Sequence, residues 1–213
     1  MTRFRLGDLF GTPKSPDPDA EMEGQLRELE HQAADAVPGF GAQFLNRAGD
    51  LCIDAGKLDR GLNYLGRAID MYLLAGRWDA AGAVCRKLLR VSPGAVRARC
   101  TLAWLSIGKG LGGDAQAEIR DYIHAARAAG PGHVDLTRKQ LALMAEAVFD
   151  PDVLEVVAEQ LWELGDHTGA KKVGLRMKAV VGGAAEELSD HDQERTWAAV
   201  LRAALMGPRE LSK

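Results

Sequence analysis

Residues 44–93 decide the fold, and they read FLNRAGDLCIDAGKLDRGLNYLGRAIDMYLLAGRWDAAGAVCRKLLRVSP. Small and apolar residues recur through this stretch at helical spacing, and isolated glycines, among them Gly56 and Gly76, separate the runs. The pattern predicts helices joined by short turns. Gly49 and Gly61 lie 12 positions apart on opposite sides of Gly56. Two antiparallel helices would touch at that pair, because only a small residue leaves room for so close an approach.

The same spacing of small and apolar residues on both sides of a turn glycine, called the frame below, recurs elsewhere in the chain. Around Gly76 it returns 20 positions after Gly56, which is too soon for a second repeat of about 34 residues. Helix 58–74 is therefore expected to be apolar on two faces and to pack against both of its neighbours, as an inner helix of a repeat array does. A clean copy of the frame surrounds Gly165, and a weaker copy surrounds Gly110.

These small and apolar residues stand where a tetratricopeptide repeat needs them, and over roughly residues 42–182 the chain resembles a tetratricopeptide-repeat α-solenoid. The stretch NYLGRAIDMYLLAGRWDAAG, residues 63–82, is similar to the soluble NSF attachment protein branch of that superfamily. The resemblance implies an all-α fold, an antiparallel helix-hairpin right-handed α-solenoid of about nine to ten helices. It also implies a protein that holds other proteins, and the attachment-protein branch implies an adaptor that presents a helical bundle to an ATPase.

Proline, glycine and charge patterns divide the chain into four segments. Residues 1–19 are predicted to be a disordered tail with a short apolar segment, and residues 20–38 an N-terminal helix that caps the array or forms a dimer seam. Residues 42–182 form the predicted repeat domain, and residues 183–213 a linker followed by a C-terminal capping helix. The individual helices are predicted at 20–36, 42–55, 58–74, 77–91, 94–107, 114–129, 133–148, 151–164, 167–181 and 190–206.

Composition indicates a globular helical protein and gives no sign of a membrane span. The chain has 213 residues and is 46% hydrophobic but only 6% aromatic, which favours helix over sheet. It contains no apolar run long enough for a transmembrane segment and no secretory apolar core, so we expect a cytoplasmic protein. Cys52, Cys85 and Cys100 lie at apolar helix positions without metal-ligand spacing, which is typical of buried thiols in a reducing compartment.

The charges are unevenly distributed, although the net charge is only −3. Residues 77–109 carry many basic side chains against the single acid Asp79. This basic region predicts a solvated face, a surface for self-association, or a site for nucleic acid or an anionic surface. Its basic residues are Arg77, Arg86, Lys87, Arg90, Arg97, Arg99 and Lys109.

No motif in the chain indicates catalysis. Gly108, Gly110 and Gly113 match a phosphate-binding glycine pattern, but a predicted helix precedes them where that pattern needs a strand. The histidines are dispersed and lack the spacing of zinc ligands. We therefore expect no enzymatic activity, no cofactor and no bound metal.

The resemblance implies that the first helix of each hairpin lines a concave groove that binds a partner. Some family members bind the C-terminal carboxylate of a partner with Lys and Asn side chains. This chain does not match that clamp, because the equivalent positions are acidic. Acidic and aromatic side chains would instead suit a partner peptide or helix that mixes basic and apolar residues. For the tryptophans the alternative is burial in the core. The predicted partner-binding residues are Asn46, Asp50, Asp54, Arg97, Trp104, Glu155, Glu159 and Trp162.

The N-terminal tail contains a second candidate contact. Phe4, Leu6, Leu9 and Phe10 are large apolar residues in a segment that is otherwise too polar and proline-rich to fold alone. They predict either docking onto another molecule or folding back onto the end of the helical array.

Together these features predict a non-enzymatic adaptor or scaffold that binds a protein partner of unknown identity. The first alternative is a self-assembling structural subunit, including a homo-oligomer. The second is a binder of nucleic acid or an anionic surface through residues 77–109, which the acidic net charge disfavours.

Overall fold

The computed structural model describes residues 17–37 and 39–183, and this part of the chain is all-α. Of the described residues 84% are helical and none lies in a strand, which confirms the predicted fold class. The predicted helices within this range are confirmed, with ends displaced by at most two residues. The described helices are α1 (Pro18–Asp35), α2 (Gly41–Asp54), α3 (Leu58–Leu74), α4 (Trp78–Val91), α5 (Val96–Gly108), α6 (Gly112–Ala129), α7 (Pro131–Ala147), α8 (Pro151–Glu163) and α9 (His167–Val181).

Some predictions concern residues outside the described ranges. The tail contacts at Phe4, Leu6, Leu9 and Phe10 lie there, as does the predicted helix 190–206. The right-handed course of the solenoid and the division into four segments stay predictions.

A glycine turn sets the antiparallel course of consecutive helices. Gly56 ends α2 with a backbone φ of 74°, a conformation that glycine adopts without the steric penalty of a side chain. Just beyond it, the amide of Lys57 donates to the carbonyl oxygen of Cys52 at 2.8 Å, as in a Schellman motif. The same bond recurs after Gly76, Gly110 and Gly165. Such short links place consecutive helices side by side.

The predicted close contact between α2 and α3 is confirmed. A Cβ atom on Gly61 would lie 3.0 Å from the carbonyl oxygen of Gly49 and 2.6 Å from Cγ1 of Ile53. Near the start of α2, Gly41 faces the side chain of Met71 close to the end of α3. Positions that ascend along α2 thus face positions that descend along α3, and the two helices run antiparallel.

Helices that are two apart in the chain are joined by polar side chains. Lys57 donates to Asp19 of α1 at 2.9 Å, and Tyr64 of α3 donates to Glu30 of α1 at 2.7 Å, so α1 and α3 run parallel. Further polar contacts join α2 to α4, α3 to α5, α5 to α7 and α6 to α8. This regular stacking is a helical-repeat-like arrangement and is compatible with a solenoid.

The apolar core of the described helices consists of three adjoining clusters. The first lies mainly among α1, α2 and α3, the second mainly among α3, α4 and α5, and the third among α5 to α9. Tyr64 and Ala68 of α3 belong to the first cluster, whereas Leu65 and Ile69 belong to the second. The prediction that helix 58–74 packs against both neighbours is therefore confirmed.

Candidate functional site

An open groove of about 810 Å³ lies between α1 and α2. Four carboxylates line it, Glu21 and Glu28 from α1 and Asp50 and Asp54 from α2, against the single guanidinium of Arg47. Small and apolar residues lie among these charges. They are Ala20, Gly24, Leu29 and Leu51. The groove therefore combines a negative potential with apolar contact surface.

The α1 wall follows from where this helix begins and which stripe it buries. Asp17 caps the helix by accepting a hydrogen bond from the amide of Asp19 at 3.1 Å, and Pro18 occupies the first helical turn. The helix buries an apolar stripe against α2 and α3, composed of Met22, Leu26, Leu29 and Ala33. Because side chains three and four positions apart share one helix face, a polar stripe borders the groove beside it. That stripe is Glu21, Gln25, Glu28 and Gln32.

Contacts with α3 hold α1 in place from its other edge. Glu23 forms an ion pair with Arg60, and this hydrogen bond holds the pKa of the Glu23 carboxyl below its ordinary value. Glu30 accepts a hydrogen bond from the Tyr64 hydroxyl and lies 3.5 Å from a guanidinium nitrogen of Arg67. The four glutamates Glu21, Glu23, Glu28 and Glu30 of α1 thus fall into two rows, of which Glu23 and Glu30 bind α3 and the other two face the groove.

A lysine of α4 binds two side chains of α2, the helix that forms the second wall of the groove. The Lys87 ammonium donates to the side-chain oxygen of Asn46 at 2.9 Å and forms an ion pair with Asp50. Asp54 lies exposed at the end of α2. Of the predicted partner-binding residues, Asp50 and Asp54 therefore line the groove, and Asn46 lies one helical turn from Asp50.

Trp104 does not present a surface to a partner, contrary to the prediction. Its side chain is only 2% exposed, and its Nε1 donates to Oε1 of Gln140 on α7 at 2.9 Å. Cys100 and Tyr122 pack in the same cluster. Trp104 is a core residue because α7 covers the face of α5 that the sequence pattern assigned to a groove, which is the alternative stated for it above.

Arg97 is also occupied within the protein. It forms an ion pair with Asp70 of α3, whose residue exposure is 5%. Its guanidinium thus joins α3 to α5, and the prediction that Arg97 binds a partner stays a prediction.

Glu155, Glu159 and Trp162 are exposed on α8, but none of them lines the α1/α2 groove. The indole of Trp162 is 53% exposed, and its ring centroid lies 4.2 Å from that of His167. Since α8 packs against α6, α7 and α9, these residues form a separate surface. The predicted partner-binding set is thus divided between two regions and the core.

The basic region 77–109 is largely paired with acids in the folded protein. Arg77 instead donates to the carbonyl oxygen of Gly39 at 3.2 Å and lies over the ring of Tyr72. The ion pairs of this region are Lys87 with Asp50, Arg97 with Asp70, Arg99 with Asp121 and Lys109 with Asp79. Asp50, Asp70 and Asp121 come from helices outside the region and offset part of its positive charge, whereas Asp79 belongs to the region itself.

Sequence reasoning missed the α1 half of the groove and Arg47 of α2. The spacing of Glu21, Gln25, Glu28 and Gln32 is a legible signal, because it marks one polar face of a helix. The same spacing is typical of a face that meets only solvent. Only the position of α2 beside this stripe turns it into the wall of a groove.

Within the described ranges, no group of three or more His, Cys, Asp or Glu side chains is placed to hold a metal ion. Burial raises the pKa of the Cys85 and Cys100 thiols to about 12, so both remain protonated at neutral pH. None of the helices between residues 17 and 183 combines the length and apolar composition of a bilayer span.

Comparison of the chain with models of protein families, with curated proteins and with solved structures finds no match. The functional conclusion therefore depends on the groove, on the charges around it and on the packing that holds them.

Proposed function

We propose that this protein is a non-enzymatic adaptor or scaffold that binds a partner peptide or helix in the α1/α2 groove. The observation that carries the proposal is the groove itself, in which four carboxylates surround apolar surface from Leu29 and Leu51. Basic side chains of a partner would pair with the groove carboxylates other than Asp50, which already binds Lys87, and its apolar side chains would mainly contact Leu51, because Leu29 is only 7% exposed. The partner is therefore a segment that mixes basic and apolar residues.

The dimensions of the groove suit a short peptide. Along α1 it extends from Ala20 to Gln32, which is about 18 Å at about 1.5 Å per helical residue. An extended peptide of about six residues covers this distance at about 3.3 Å per residue. A helix of about three turns covers it as well.

The resemblance of the sequence to tetratricopeptide repeats supports a protein-holding role. Helical-repeat proteins recognise partners through surfaces built from stacked helices, and the described helices of this chain stack in that way. We extend the proposal to a tetratricopeptide-like solenoid with a local likeness to the soluble NSF attachment protein branch. A cytoplasmic location belongs to the same proposal, because three buried cysteines without disulfide bonds suit a reducing compartment.

Binding of nucleic acid through residues 77–109 is the weaker candidate. Phosphate contacts require basic side chains that are free to release their counterions. Four of the basic residues in this region already pair with carboxylates of the protein, so each would have to leave its partner first.

Self-assembly is a second candidate, and a specific surface favours it. Val37, Phe40 and Leu74 are large apolar residues that are exposed at one end of α1, α2 and α3. They lie near one another, since a Cβ atom on Gly39 would contact Ala75 at 2.8 Å. Light scattering tests this candidate: a dimer that dissociates after Phe40→Ser and Leu74→Ser would support it, and a monomer at all concentrations would exclude it.

The experiment for the adaptor proposal is selection from a library of displayed peptides, followed by calorimetry with the purified peptides. Selection uses the full chain and, in parallel, the full chain with Phe4→Ser and Phe10→Ser, so that its own tail cannot hide the groove. We expect enriched peptides in which Arg or Lys alternates with apolar residues. Their affinity should fall at least about tenfold in the double variant Glu28→Lys, Asp54→Lys, because two attractive charges become repulsive.

The matched control is Asp59→Lys with Glu146→Lys, which makes the same change of charge at exposed positions of α3 and α7 outside the groove. Equal loss of affinity in both double variants would show only a general electrostatic effect. Enriched peptides without basic residues, or no enrichment with either protein, would overturn the proposal.

A further inference from the structure

We propose that residues 4–10 of the N-terminal tail occupy the α1/α2 groove of their own chain until a partner displaces them. This inference rests on the proposed function of the groove as a binding site for basic and apolar segments. It identifies the first such segment as part of the protein itself.

The tail has the chemistry that the groove calls for. Residues 1–16, which precede the described chain, carry three basic side chains against the single acid Asp8. Basic and apolar side chains alternate from Arg3 to Leu6, and the apolar pair Leu9 and Phe10 follows two residues later. The groove offers the complementary set of carboxylates around Leu29 and Leu51.

The tail also begins beside the groove. The described chain starts at Asp17, and Ala20, only three residues later, lines the end of the groove. Residues 11–16 read GTPKSP, a composition that favours turns and can direct the chain back along α1. Residues 4–10 would extend about 20 Å at about 3.3 Å per residue, which matches the groove length of about 18 Å on α1.

The short connection favours binding within one chain over binding between two copies. A link of only six residues holds the tail near the groove at an effective concentration on the order of millimolar. In a micromolar protein solution, the tails of other copies are present at a concentration about a thousandfold lower than this. A partner then binds with reduced apparent affinity, because the groove is open in only a fraction of the molecules.

The first test measures binding of a fluorescent synthetic peptide of residues 1–16 to two full-length proteins. One is the wild type, and the other carries Phe4→Ser and Phe10→Ser, which weaken its own tail. We expect the peptide to bind the tail variant about tenfold more tightly than the wild type, because the groove of the variant is open. Adding Glu28→Lys should remove this binding, whereas adding Glu146→Lys should leave it unchanged.

The second test locates the tail by disulfide trapping in the full chain. One protein carries Gly7→Cys with Gln25→Cys in the groove, and the control carries Gly7→Cys with Glu146→Cys on α7. The natural cysteines are buried and do not compete. We expect rapid formation of a cross-linked monomer with the groove pair only.

Each result separates this inference from the proposed function of the groove. Cross-linked dimers, or equal rates for the two cysteine pairs, would overturn docking within one chain. If the tail peptide binds neither protein while selected peptides still depend on Glu28 and Asp54, the tail inference fails and the adaptor function stands. If neither kind of peptide binds, both proposals fail.

Discussion

The α2/α3 and α8/α9 hairpins share one sequence frame but differ in how their second helices are covered. In α2/α3 the glycines Gly49 and Gly61 let the two backbones approach closely, and Leu65 of α3 is fully buried. In α8/α9 the position equivalent to Leu65 is Gly174, and a Cβ atom there would meet nothing within 4 Å. Among the residues of α9 only Ala170 and Val173 are buried.

The difference shows that the glycine turn is enough to form a hairpin, whereas burial of its second helix requires a further helix packed against it. Both hairpins turn at a glycine with the same Schellman hydrogen bond, after Gly56 and after Gly165. Helix α3 is followed by α4, which covers its second face. Helix α9 is the last described helix, and Leu175 remains 68% exposed on it. The two hairpins should therefore respond differently to equivalent substitutions.

The largest difference in stability between the two hairpins is expected when a leucine side chain is removed from α3 or from α9. Leu65→Ala should lower the free energy of unfolding by about 2–5 kcal/mol, because it leaves a cavity between two core clusters. Leu175→Ala should change it by less than about 0.5 kcal/mol. Urea unfolding monitored by circular dichroism measures both values. Similar losses at the two sites would mean that α9 is covered as fully as α3.

The next contrast concerns ion pairs between helices two apart. Asp70→Asn should cost about 1.5–3 kcal/mol, since Asp70 is buried and pairs with Arg97. Glu163→Gln should cost less than about 1 kcal/mol, because its pair with Arg127 at 3.0 Å is exposed. Unfolding at low and high salt provides the control, as only the exposed pair should weaken markedly with salt. A salt-sensitive Asp70 effect would contradict this view.

Replacing glycine by alanine should change the free energy of unfolding in opposite directions in the two hairpins. Gly61→Ala should destabilise by about 1–3 kcal/mol, because its Cβ would press on Ile53 and on the Gly49 backbone. Gly174→Ala should stabilise by up to about 1 kcal/mol, since it improves helix propensity where space is free. Thermal unfolding of the two variants compares the signs directly. A stabilising Gly61→Ala would show that α2 and α3 do not approach so closely.

The smallest contrast is in the dependence of stability on pH. The hydrogen bond from Arg60 lowers the pKa of Glu23. The ionised Glu23 therefore stabilises the fold above the ordinary pKa range of glutamate, and this stabilisation is lost as the pH falls through the folded-state pKa. Burial raises the pKa of Glu118 in α6, so its ionisation opposes folding as the pH rises through the raised value.

Unfolding midpoints measured from about pH 3 to about pH 7 test these signs. Glu23→Gln should flatten the rise in stability with pH that is expected of the wild type. Glu118→Gln should instead improve stability relative to the wild type at the upper end of the range. Equal pH profiles for wild type and both variants would contradict the environments described for the two carboxyls.

Much of the fold could be predicted because its signals are local. The turn at Gly56 depends on one residue's backbone freedom and on a hydrogen bond to a residue five positions earlier. The contact of Gly49 with Gly61 follows from that turn, because the hairpin fixes which positions face one another. The predicted helices from 20–36 to 167–181 are confirmed for the same reason.

The candidate site could be predicted only in part. Asp50 and Asp54 line the groove as carboxylates of the first hairpin, but Glu21 and Glu28 come from a helix that the sequence shows only as polar on one side. Trp104 and Trp162 both stand at helix positions assigned to a groove, and one is buried while the other is exposed. Their environments depend on whether another helix packs over them, which the local pattern does not contain.

The sequence by itself determined the class of fold, the helices and the turns, because propensity, glycine backbone freedom and apolar spacing act within a few residues. Only the tertiary structure decided which polar stripe borders a groove, which tryptophan enters the core and which basic residues are neutralised. These outcomes join residues as distant as Asn46 and Lys87, or Trp104 and Gln140. The physical reason is that burial and ion pairing are properties of neighbouring helices together, and the stacking of those helices is not a property of any one of them.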